Sequence, residues 1–124
     1  MPTPCHILVE GSPVIVYASR NGSPEKILPI LKPFLEKFWQ ERDIYGEHRY
    51  TADCLVAQIV VRFGYEICED DFSNLRVGVT YDLNVEYLYA IASNQVNIWV
   101  PEAQYRQNPS IGLQGCRQAG TETW

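Results

Sequence analysis

The stretch 23–41, SPEKILPILKPFLEKFWQE, constrains the fold more than any other part of the chain. Ile27, Leu28, Leu31, Phe34, Leu35 and Phe38 recur at spacings of three and four, which stacks them on one side of a 3.6-residue helix. Glu36, Lys37 and Gln40 fall on the other side. Ser23 and Pro24 supply a start signal, an N-cap oxygen followed by a residue suited to the first helical position. Pro29 and Pro33 each remove an intrahelical hydrogen bond. Their spacing of four puts both opposite most of the apolar stripe, so one bent helix with its disrupted carbonyls facing water is expected.

Residues 51–63 carry a second stripe, made of Ala52, Leu55, Val56, Ile59, Val60 and Phe63, with Gly64 as the expected exit. Before the helices, 5–10 and 14–19 read as a hairpin punctuated by Gly11-Ser12-Pro13. After them, 75–82 alternates with Leu75, Val77, Val79 and Tyr81 on one face, and Asp82-Leu83-Asn84 reads as a tight connection. Residues 85–92 are apolar on both faces apart from Glu86, Ser93-Asn94 forms a turn, and 95–100 alternates up to Pro101. The expected fold is α+β in two layers. A mainly antiparallel sheet of about five strands carries two helices on one face, in the order ββααβββ. Residues 1–101 make one domain and 102–124 a C-terminal extension, whose Gln, Gly, Pro and Ser content predicts a mobile tail and a poor lid. Ile111, Leu113 and Trp124 are its candidate anchors.

The formal charge of −5 and the scattered Lys and Arg argue against nucleic acid and anionic lipid as partners. No apolar run approaches a membrane span, and the N-terminus does not read as a signal peptide, so a cytoplasmic location is expected. Four cysteines, at 5, 54, 68 and 116, have no paired spacing and are read as thiols in a reducing compartment, Cys5 and Cys54 as small buried hydrophobes.

The stretches CHILVEG, VIVYASRNGSPE and ILPILKPFL, followed by TADCLVAQIVVRFG and VEYLYAI, resemble a family of small bacterial and phage-encoded proteins of uncharacterised function. The resemblance spans roughly residues 5–100, with Arg20-Asn21-Gly22 standing where Asp-Gly is the common form. It implies a single domain in a phage or mobile-element context, and brings no catalytic residue, cofactor or substrate with it.

Candidate chemistry is sparse. Cys5 and His6 are adjacent, so on a strand they point to opposite faces and cannot ligate one metal together; His48, Cys54 and Cys68 add no paired spacing. Glu66, Glu69, Asp70 and Asp71 read as a solvated acidic loop without a calcium-loop pattern. Cys54 with His48 is the best nucleophile pair on paper, and Asn21-Gly22-Ser23 a weak anion cradle. No catalytic set, metal site or cofactor is expected. The aromatic residues Tyr87, Tyr89 and Trp99 are expected on uncovered sheet, as an interaction surface. The sequence therefore points to a protein-interaction or regulatory module that binds another protein or itself, as a homodimer. A small enzyme or a homo-oligomeric structural protein is the alternative.

Overall fold

The computed structural model describes residues 3–45, 51–66 and 75–124. Among these residues, six strands form one mixed sheet, ordered β3-β2-β1-β4-β5-β6, and three helices flank it. The α+β class holds; the strand count and the antiparallel character do not. β1 (Cys5–Val9) and β2 (Ile15–Ala18) form the expected antiparallel hairpin, but β1 runs parallel to β4 (Tyr87–Ile91).

The reason lies in residues 79–86. The expected strand 75–82 is cut to β3 (Leu75–Gly78), which pairs antiparallel with β2 at the sheet edge. The chain then crosses β2 and β1 instead of turning back, and enters the sheet on the far side of β1. Along the way Val85 becomes fully buried, and the Glu86 amide donates to the carbonyl of Pro4 at 2.9 Å.

Helix α1 (Pro24–Tyr45) is continuous through Pro29 and Pro33, both of which face solvent as expected. Ile27, Leu31 and Leu35 are fully buried, with Leu28, Phe34 and Phe38 half-buried beside them. Helix α2 (Thr51–Glu66) runs past Gly64 and buries Leu55, Val56, Ile59 and Phe63. Cys5 is buried, whereas Cys54 sits on the exposed side of α2, contrary to its expected burial. Both helices meet one sheet face, made of Cys5, Ile7, Val9, Val16, Ala18, Tyr89, Ile91, Val96 and Ile98. Gly22 closes the entry to α1: a Cβ there would lie 2.6 Å from the Thr3 carbonyl and 2.7 Å from the Cys5 Cβ.

The C-terminal residues are ordered, against the expectation of a mobile tail. β5 (Gln95–Pro101) leads into α3 (Ala103–Gln107), the 3₁₀ turns of Pro109–Gly115 and β6 (Cys116–Thr123). β6 pairs with β5 from Gln95↔Thr123 to Pro101↔Cys116. Composition misled because a polar edge strand satisfies its backbone through pairing and needs few apolar side chains. The main anchor is not Ile111, Leu113 or Trp124 but Tyr105. Tyr105 is fully buried with Tyr17, Val85 and Leu88 on the second sheet face, and Leu113 and Cys116 pack around them. The tail is the second cover layer. Among the described residues no helix is long and apolar enough to cross a membrane.

Candidate functional site

The second face holds a connected polar cluster centred on His6. Its ring is 1% exposed. Nδ1 lies 3.3 Å from the Val16 carbonyl, and Nε2 accepts the Asp82 amide at 2.9 Å. A carbonyl needs a donor and an amide needs an acceptor, so these partners fix the neutral ring with its proton on Nδ1. Tyr17 and Tyr81 meet it edge-on, each 5.7 Å between centroids. The Arg76 guanidinium lies 4.2 Å over the Tyr17 ring and pairs with the Asp82 carboxylate. From α3, the Tyr105 hydroxyl donates to the Asp82 carbonyl at 2.5 Å and Arg106 donates to the Leu83 carbonyl. Asn84 reaches the Tyr17 hydroxyl at 3.3 Å. Gly112, at φ +64°, lies so close to Tyr81 that a Cβ would come within 2.9 Å of its ring.

This cluster clasps the crossover to the second sheet face. Both His6 nitrogens are spent on backbone groups, which leaves none for a substrate proton. Burial is the main force lowering the His6 pKa, followed by the opposing pull of the Val16 carbonyl and the Asp82 carboxylate; Arg76 lowers it further. Burial also raises the Tyr81 and Tyr105 phenols, which keeps Tyr105 a donor, and pushes the Cys116 thiol up to about 11. That thiol is a poor nucleophile.

A pH dependence follows. An unfolded histidine protonates near 6.5 while His6 stays neutral to lower pH, so the unfolded chain binds the extra proton first. Stability is fully present above about pH 6.5 and should fall below it, by at most about 1.4 kcal/mol per pH unit, until the folded pKa is reached. His6→Gln keeps an acceptor and a donor but does not titrate in this range. Urea midpoints at pH 7.5 and 5.5 should converge in that variant relative to wild type; equal slopes in the two proteins would contradict the assignment.

The expected aromatic surface is divided by the sheet. Register places Leu88 opposite Trp99 and Tyr89 opposite Ile98, so Tyr87 and Tyr89 lie on the helix face and Trp99 on the other. Tyr89 is fully buried, and its hydroxyl donates to the Gly22 carbonyl at 2.5 Å. Tyr87 is half-buried and stacks on it, 6.2 Å between centroids. Trp99 lines a 520 Å³ groove with Leu8, Ala90 and Leu113, its Nε1 buried without an acceptor. A buried donor of this kind costs about 1–3 kcal/mol.

The other candidates fall away or lie elsewhere. The Gly22 amide donates to the Thr3 carbonyl at 2.9 Å, so the central N–H of the expected anion cradle is already paired. His48, Cys68, Glu69, Asp70, Asp71 and the Glu66 side chain lie outside the described residues. The Cys54–His48 pairing therefore lies outside them as well. Among the described residues no group of three His, Cys, Asp or Glu is placed to hold a metal ion. Cys5, Cys54 and Cys116 carry thiols, not disulfides.

The two sheet edges differ sharply. β6 is guarded: Arg117 and Glu122 punctuate it, Glu122 pairs with Lys32 at 3.5 Å, and a bulge shifts its register at Ile98/Trp99. Each of these discourages a further strand. β3 has no strand on its outer side among the described residues. Its only charge, Arg76, is folded onto Tyr17. Val77 is 54% exposed, and Val79 and Leu83 just beyond it are 70% and 55% exposed. Comparison with protein-family models, with curated proteins and with solved structures finds no match. The resemblance to small bacterial and phage-encoded proteins therefore rests on the quoted strand, turn and helix stretches alone.

Proposed function

We propose that this chain is a protein-interaction module that acts through the β3 edge, with a second copy of itself as the partner strand there. The observation that carries the reading is the exposed apolar pair Val77 and Val79 at an edge that has no strand outside it among the described residues. Natural edges are usually blunted by charge, proline or a bulge, and an edge left open is a template for strand addition. The sequence of the edge favours self-pairing. An antiparallel two-fold arrangement centred on Val77 sets Val77 against Val77, Leu75 against Val79 and Arg76 against Gly78. Apolar residues then meet on one face, and no like charges oppose each other.

The sheet face is no longer the reason for a dimer, since 103–115 cover much of it. An edge this short gives a small interface and hence a weak, concentration-dependent association. A reducing, cytoplasmic setting accords with the three thiols. Light scattering coupled to size exclusion should show the mean mass rising from 14.2 kDa toward twice that value as concentration increases. The double variant Val77→Lys, Val79→Lys alters two exposed positions and should remain at 14.2 kDa throughout. A wild-type chain that stays monomeric into the millimolar range would overturn the self-pairing, as would assembly indifferent to the two lysines.

A further inference from the structure

A cleft between α1 and α2 encloses about 460 Å³ and is lined by Phe34, Lys37, Phe38, Arg42, Gln58 and Arg62, none of them on the β3 edge. That volume lies within the range of small-ligand sites. Among the described residues that line it are three cations, Lys37, Arg42 and Arg62, and one carboxylate, Glu41, on a chain whose formal charge is −5. A local concentration of positive charge on an acidic protein draws anions.

The deciding detail is Arg42. Its guanidinium carbon lies 5.4 Å from the centroid of the Phe38 ring, and its Nε and Nη2 are both buried without an acceptor. Those two nitrogens form one edge of the guanidinium. It is the fork that a carboxylate meets with two parallel N–H···O bonds. Unpaired buried donors are unfavourable, and a pair of ligand oxygens would satisfy both at once when the Arg42 side chain turns this shielded edge into the cleft it lines. Beside the fork, Phe34 and Phe38 stand 6.5 Å apart between centroids and supply an apolar wall.

We propose that this cleft binds a small carboxylate carried on an aromatic body, with the Arg42 fork holding the carboxylate and Phe34 and Phe38 holding the ring system. Lys37 and Arg62 add to the field. Lysine could not replace Arg42, because an ammonium is a point charge without the fork.

The test uses 2-naphthoate as probe, with 2-naphthamide as its uncharged analogue, inorganic phosphate as an anion without a body, and octanoate as a flexible carboxylate. Titration calorimetry on the full chain should give saturable binding of 2-naphthoate, with the other three at least about tenfold weaker. Arg42→Lys should weaken 2-naphthoate by at least about tenfold with the melting temperature little changed. Cys54 lines the same cleft and is exposed, so its alkylation, followed by peptide mass spectrometry, should slow when 2-naphthoate is bound. If Arg42→Lys fails to fold, the wild-type comparison of naphthoate with naphthamide, read at Cys54, still decides. Equal affinity for the acid and the amide, octanoate binding as tightly, an unaltered Arg42→Lys affinity, unprotected Cys54 or no binding at millimolar probe would each overturn the proposal.

Discussion

A chain ending at Pro101 should lose its cooperative unfolding transition and aggregate. The cut removes α3, the 3₁₀ turns and β6 together, leaving β5 without its outer partner and the second sheet face stripped of much of its cover. Re-exposing a fully buried apolar side chain costs roughly 1.5–3 kcal/mol. Val85 and Leu88 lose their cover, and Tyr105 is deleted along with its bond to the Asp82 carbonyl. These losses take a large share of the about 5–15 kcal/mol that holds a domain of this size. The crossover 79–86 loses its clasp as well, since Tyr105 and Arg106 both donate into it. Calorimetry and light scattering on the cut chain check this. A soluble monomer with a sharp transition near that of the full chain would contradict it.

Tyr89→Ala should destabilise by about 3–5 kcal/mol, the range for emptying an aromatic site in a packed core. The side chain is fully buried between the sheet and the helices, and its hydroxyl satisfies the Gly22 carbonyl at the turn into α1. Tyr89→Phe isolates that bond and should cost about 1 kcal/mol. Tyr87→Ala, half-buried at the margin, should cost well under the Tyr89→Ala figure. Urea unfolding of the three variants gives the ranking. An unchanged midpoint for Tyr89→Ala would return Tyr89 to the surface role first expected of it.

The contrast shows what sequence can and cannot carry. The helices were legible because burial on a helix depends on local spacing, and Ile27, Leu31 and Leu35 obey it through two prolines. The faces of Tyr89 and Trp99 were not. Which face each ring takes relative to the other depends on register between strands, and that is set by long-range pairing. Asp82-Leu83-Asn84 has the composition of a hairpin turn, yet it forms the middle of a crossover whose amide needs His6, distant in sequence. No local pattern separates those two uses. The β6 strand was hidden because its alternation is of Gln, Thr and Glu, with the bulge interrupting even that. The α1–α2 cleft was equally hidden. Lys37 and Arg62 read as outward-facing residues of two separate helices, and Arg42 as the start of a polar loop, until packing brings them together.

The claim that β3 is the working edge is tested most directly by amide hydrogen exchange, followed residue by residue as protein concentration is raised from micromolar to millimolar. The account predicts that amides within 75–79 slow with concentration, while those of β6 keep the rates they have in the dilute protein. Protection that grows on β6 instead, or rates at 75–79 that ignore concentration, would contradict it.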